Sequence, residues 1–182
     1  MVNFRTVGHG TLPADDFAAL VTGAVIEVVV DVRSFPASRR HPQFRREAME
    51  RWLPDAGVAY RWEPRLGGRR RPRPDSPHGA LRVAAFRGYA DHMETAEFRD
   101  GVDDLLADAG TRPAAVMCAE SVWWRCHRRL LADASVLLRG AAVEHLFHDG
   151  RLDAHRPTAE ARVDGPRLVY DGGEPGLPLR DS

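Results

Sequence analysis

The sequence predicts a single-domain α/β protein with a mostly parallel, Rossmann-like sheet flanked by helices. Three observations carry that prediction. Short apolar, β-branched runs alternate with stretches of helical periodicity. The run Val25-Ile-Glu-Val-Val-Val-Asp-Val32 is nearly continuous, as in strands buried on both faces. No internal repeat or linker divides the 182 residues, a length sufficient for one domain with a real core.

Phe4–Val7 reads as a first strand that ends at Gly8-His9-Gly10. Pro13, Asp15 and Asp16 mark a helix start, Phe17, Leu20 and Val21 its apolar face, and Gly23 its end. Val25–Val32 is the second strand. Phe44, Ala48, Met49, Trp52 and Leu53 repeat at helical spacing, with Pro54 expected to close that helix. Val58–Trp62 reads as a short strand, and 66–78, rich in glycine, proline and arginine, as a loop. Helical patterns follow over Leu81–Met93 and Ala96–Ala109. Ala114–Cys118 is a strand, Trp124–Leu138 a helix with Ser121 as candidate N-cap, and Ala142–Phe147 a strand. Residues 1–150 are therefore assigned to the α/β domain. Residues 151–182 form a C-terminal extension, with a hairpin around Asp164-Gly165 and a frayed last dozen residues.

Hydrophobic content of 43% and charged content of 29% are ordinary for a soluble globular protein. No stretch approaches the roughly 18 apolar residues of a membrane span, and no signal peptide is visible. A cytoplasmic location is expected. The net charge is +0, yet the charges are segregated: twelve arginines lie between Arg33 and Arg73, and seven acids against Arg99 alone between Asp91 and Asp108. The chain has no lysine. The arginine cluster points to an anion-facing surface.

Cys118 and Cys126 are the only cysteines, and the segment Cys118-Ala-Glu120-Ser-Val-Trp-Trp-Arg-Cys126-His127-Arg128 joins a strand to a helix. Two thiols in a cytosolic chain favour a thiol, metal or redox role over a disulfide scaffold. Cys126 and His127 fall at a predicted helix start beside Arg125 and Arg128, which lowers a thiol pKa. In parallel sheets ligands bind beyond the carboxyl ends of strands. Three such ends carry reactive or permissive residues: Gly8-His9, Asp31-Val-Arg33-Ser34, and Cys118 with Glu120. If parallel, they share one edge. Other readings stay open: Asp31 and Arg33 can pair with each other, and His127 can lie on a buried helix face. The spacing from Cys118 to Arg125 misses the anion loop of tyrosine phosphatases. A zinc site from Cys118, Cys126, His127 and His9 lacks a finger spacing, so no metal is assigned. The compact Cys-x-x-Cys of thiol–disulfide exchange is absent as well.

Together these residues resemble the uncharacterised family called domain of unknown function DUF488. The resemblance rests on Thr6-Val-Gly-His9, on Asp31-Val-Arg-Ser-Phe-Pro36 with Ser38-Arg39, on Tyr60 with Leu66-Gly67-Gly68, and on Cys118 to Arg128. It extends from about Thr6 to about His148. Gly10 stands where serine is usual, and Trp123-Trp124 replaces a more polar stretch. The resemblance implies an α/β fold and a shared site, without a reaction.

The leading expectation is an enzyme acting on an anionic substrate, such as a nucleotide or nucleic-acid component. Cys118 would be the nucleophile or redox thiol, His127 or His9 the acid/base partner and Glu120 the orienting carboxylate, with Cys126 and Arg128 completing the catalytic set. His9, Gly8, Asp31, Arg33, Ser34, Arg39, Gly67 and Gly68 would bind substrate, with Leu66-Gly67-Gly68 as a hinge. One alternative is a nucleic-acid-binding module gripping phosphates with the 65–73 loop. Another is a structural zinc or protein-interaction domain. No cofactor is named.

Overall fold

The computed structural model describes residues 1–173, so the last nine positions of the expected frayed tail lie outside the described residues. A six-stranded sheet holds β1 (Asn3–Gly8), β2 (Val28–Asp31), β3 (Ala59–Trp62), β4 (Ala114–Cys118), β5 (Ala142–Leu146) and β6 (Leu152–Ala154), in the order β3-β2-β4-β1-β5-β6. The first five run parallel, and β6 pairs antiparallel at the edge. The helices are α1 (Ala14–Gly23), α2 (Arg46–Asp55), α3 (Ala84–Met93), α4 (Ala96–Thr111) and α5 (Arg128–Arg139). This is the layered, mostly parallel α/β fold that the sequence predicts.

Strand alternation divides the core between the two sheet faces. Val7, Val29, Ala115 and Met117 pack with Phe17 and Val21 of α1 and with Met49 and Leu53 of α2. Val28, Val30, Val116 and Cys118 pack on the other face with Tyr89 of α3, Leu105 of α4 and Leu130 and Leu131 of α5. The Cys118 side chain is thereby committed to the α5 face.

Four local expectations are corrected. The second strand begins at Val28 rather than Val25. Ala24–Ile26 instead cap α1: Ile26 N–H donates to Val21 O and Val25 N–H to Thr22 O, both at 2.9 Å, the two bonds of a Schellman motif. The left-handed position is filled by Val25, at φ 56°, where glycine is usual. Pro54 does not close α2 but sits in its last turn, with Asp55 still helical. Phe44 belongs to a separate 3₁₀ turn, Pro42–Phe44. The helix expected over Trp124–Leu138 is two pieces, a 3₁₀ turn Trp123–Arg125 and α5, split by Cys126 in extended conformation. Val122, not Ser121, precedes the 3₁₀ turn, and His127 precedes α5.

Val25→Gly is expected to stabilise the protein by about 0.5–1 kcal/mol. It relieves a β-branched residue of a left-handed backbone, less the extra unfolded-state entropy of glycine. Val25 is exposed, so little packing is lost. Urea unfolding should show a higher midpoint at unchanged slope, and an unchanged or lower midpoint would refute the strain.

The chain after Gly150 stays on the same body. Leu152 pairs with Leu146 of β5, and the hairpin β7 (Ala161–Asp164) with β8 (Arg167–Tyr170) turns at Gly165. Leu168 and Tyr170 enter the α5-side core.

Candidate active site

Parallel register sets Gly8 beside Cys118, and Asp31 beside Met117. His9 N–H donates to Cys118 O at 2.9 Å. The three strand ends thus share one sheet edge, but their side chains divide between its faces, giving two centres.

The first centre lies on the α5 face. Cys118 and Cys126 are both buried free thiols with sulfurs 2.7 Å apart. Cys126 Sγ is 3.5 Å from His127 Nδ1. Arg128, only 1% exposed, donates through Nη2 to the main-chain carbonyl of Glu120 and lies against both sulfurs. Burial, then the hydrogen bond to Cys126, pushes the Cys118 thiol well up. Burial would raise Cys126 too, but the bond from Cys118, then His127 and Arg128, outweighs it and holds Cys126 well below the ordinary thiol range. The two thiols share one hydrogen bond, in which either sulfur can donate, and they titrate as a pair. The directions differ between the two thiols: up for Cys118, the nucleophile expected from sequence, and down for Cys126.

The second centre lies on the α2 face. The buried Asp31 accepts from Arg33 Nε at 2.8 Å, Arg33 Nη2 at 2.6 Å and Tyr60 Oη at 2.6 Å. Arg33 and Asp31 thus form the mutual ion pair that the strand spacing allowed. His9 stacks on Phe44 with ring centroids 4.1 Å apart. Burial, then Arg33, lowers its pKa to about 4, so the ring is neutral. Its Nδ1–H donates to Gly10 O at 2.8 Å, which leaves Nε2 to accept from Arg33 Nη1 at 3.2 Å. This His9 is fixed as an acceptor and is not free to exchange a proton with the thiols across the sheet.

Two cavities, of about 310 and about 600 Å³, open over the strand ends and share Arg33, Phe35, Arg69, Ala119 and Glu120, making one groove. The smaller reaches Cys118, Cys126, His127, Arg125, Ser34 and Gly68; the larger reaches His9, Gly10 and His41. A Cβ on Gly68 would stand 2.4 Å from His127 Nδ1, and one on Gly67 2.3 Å from Ser34 Oγ, so these glycines let the 66–78 loop close onto the site. Gly8 takes the Glu120 carbonyl where its own side chain would be. That carbonyl is where Glu120 meets the site; its carboxylate is exposed and, among the described residues, accepts Val122 N–H at 3.3 Å and no imidazole. Arg39 is exposed and lines neither cavity.

The segregated charges meet in space. Arg61 pairs with Asp108 at 2.8 Å, Arg73 with Glu94 at 3.2 Å, Arg70 with Glu97 at 3.9 Å, and Arg65 with Glu63 and Asp104. Much of the arginine-rich loop is therefore tied to the acidic surface of α3 and α4. Arg69 and Arg125 make no ion pair with a described residue, and both line the smaller cavity. Arg69 lies 5.9 Å from the Phe35 ring, which is 72% exposed.

Several residues escaped sequence reasoning. Tyr89 donates to Leu66 O at 3.0 Å and packs its ring against His127 at 5.0 Å between centroids. Behind the thiols runs a buried chain: Asp133 to His155 at 2.8 Å, His155 to His145 at 2.9 Å, His145 to Thr6 at 2.7 Å. Trp123 of the thiol loop stacks flat on His145, 3.9 Å between centroids. The spacing of these residues, spread from Thr6 to His155, carries no local signal. Among the described residues no group of three or more His, Cys, Asp or Glu side chains gathers as a metal site. In the zinc set considered from sequence, His9 sits on the other face from the thiols.

A mostly parallel sheet covered on both faces, with a thiol pair at its carboxyl edge, defines a layered α/β protein with a groove over its strand ends. A family model described as domain of unknown function DUF488 matches residues 13–135, and the chain belongs to that family. The matched range takes in Asp31, Tyr60, Gly67-Gly68 and the thiol block, and begins after His9. No curated protein and no solved structure matches the chain.

Proposed function

We propose that the protein is an enzyme in which the Cys126 thiolate is the nucleophile toward a small anionic substrate held in the strand-end groove. The single observation that carries this reading is the close pair: the Cys118 and Cys126 sulfurs lie 2.7 Å apart, with Arg128 and His127 beside a Cys126 thiol held low, at the wall of a cavity that Arg69 and Arg125 also line. His127 is the nearest acid/base group, since its Nδ1 faces the sulfur and its buried Nε2 has no partner among the described residues. Arg69 and Arg125 meet the anion. Arg33, already committed to Asp31 and His9, shapes the groove between the cavities. The exposed Phe35 beside Arg69 favours a substrate with a flat ring as well as charge, and a nucleotide or nucleic-acid component meets both needs. The reading takes the cytoplasm as the place of action, where a reduced pair persists. None of the described helices is long and apolar enough to cross a membrane.

The test is alkylation of the folded protein with iodoacetamide at pH 6. An ordinary thiol of pKa about 8.5 is below about 1% thiolate there. Cys126 is expected to react roughly tenfold or more faster, after allowance for the weaker nucleophilicity of an acidic thiol. Cys126→Ser should abolish the fast phase. Fast modification of Cys118 instead, or of neither thiol, would overturn the reading.

A further inference from the structure

We propose that Cys118 and Cys126 are a dithiol–disulfide couple, oxidised by an anionic low-molecular-weight disulfide, whose closure removes the Cys126 nucleophile. The inference rests on the reading of Cys126 as the reactive thiolate and adds an activity to the same site. Spacing alone speaks against exchange, because seven residues separate the cysteines. The fold cancels that objection. The turn through Trp123–Arg125 folds back so that the two sulfurs are 2.7 Å apart, with no side chain between them.

Four further features fit exchange with an anionic disulfide. Both thiols line one cavity of about 310 Å³, so an attacking group and its leaving group share one exit. The thiol shifts run down for Cys126 and up for Cys118, the usual order of an attacking and a resolving thiol. The thiols are buried, which excludes a disulfide on the surface of another protein and admits a small one. Arg69 and Arg125, without ion pairs among the described residues, select for negative charge.

The step balances as follows. The Cys126 thiolate attacks one sulfur of R–S–S–R, forming Cys126–S–S–R and expelling R–S⁻, which takes a proton from solvent. Cys118 gives up its proton to water or His127, attacks Cys126 Sγ and expels the second R–S⁻. The two cysteines lose two electrons in all, and one disulfide becomes two thiols.

The test uses the reduced full-length protein with glutathione disulfide as the anionic probe and cystamine as the cationic one, read by intact mass under non-reducing conditions. Wild type is expected to lose two hydrogens, retain no adduct and show no free thiol on alkylation in denaturant. Cys118→Ser is expected to hold one glutathionyl group on Cys126. Glutathione disulfide should act roughly tenfold faster than cystamine. The thiol count on wild type needs no variant to fold. If wild type stops at the mixed disulfide, or stays reduced while Cys126 still alkylates rapidly, the couple is refuted and the nucleophile reading stands. If Cys126 reacts with neither disulfide nor iodoacetamide, both fall. If cystamine is the faster oxidant, the anionic selection is refuted.

Discussion

Taking the protein from pH 7 to pH 5 is expected to remove about 4 kcal/mol of folding stability through His9 and His145 alone. Both are buried and held neutral. Burial, then Arg33, lowers His9 to about 4; burial, then His155 and Arg128, lowers His145 to about 3. In the unfolded chain each takes up a proton near 6.5. Between those values the unfolded state binds more protons, so stability falls as pH falls below about 6.5, at roughly 1.4 kcal/mol per pH unit for each group. Burial lowers His78 and His92 as well, in the same direction. The loss rivals the whole stability of an ordinary domain, about 5–15 kcal/mol. Urea midpoints measured from pH 7 to pH 4.5 should fall steeply. His9→Gln and His145→Gln should each flatten the curve, and a midpoint independent of pH over that range would contradict the neutral, buried state of both rings.

Arg128→Met is expected to cost about 3–5 kcal/mol and to raise the Cys126 thiol, though the Cys118 bond and His127 still hold it down. Methionine keeps much of the volume. It leaves the Glu120 carbonyl without its guanidinium donor and the Cys126 sulfur without one of the charges that hold its thiol low. Arg128 Nε is buried and without a partner among the described residues, so this arginine is not placed for the greatest stability. At about 2–4 °C per kcal/mol for a chain of this size, Tm should drop by roughly 10 °C. Iodoacetamide modification at pH 6 should slow toward the rate of a free cysteine. If Tm falls and the alkylation rate does not, Arg128 is a structural strut and the acidity of Cys126 has another source.

The sheet was legible because β-branched runs are long and helical spacing is strong around them. Legibility failed where short-range hydrogen bonds override composition. Val25 and Ile26 look like strand but close the preceding helix, and Cys126 interrupts a pattern that reads as one helix from Trp124 onward. β6 is three residues long, too short for alternation to register. The shared edge of His9, Asp31 and Cys118 followed from parallel strands. Their separation onto two faces did not, because it depends on the register of β2 and β1 against β4, set by contacts more than a hundred residues apart at Gly8 and Cys118. The arginine cluster was equally visible, but its partners come from acids on α3 and α4, and only the packed fold shows that Arg69 and Arg125, which make no ion pair with a described residue, line the smaller cavity.

The strand order also fixes when the thiol groove can come into being. β1 and β2 follow one another in the chain yet do not touch; β4 lies between them, and β1 pairs only with β4 and β5. During synthesis β1 therefore waits for its sheet neighbours β4 and β5, which come much later in the chain, while β2 and β3 can already pair. The sheet becomes continuous only when Ala114–Cys118 is inserted at its centre, and the closing strand ends on the first cysteine. A nascent chain halted before that segment lacks both cysteines and the central strand, so the groove and its thiol pair can form only after β4 has joined the two halves of the sheet.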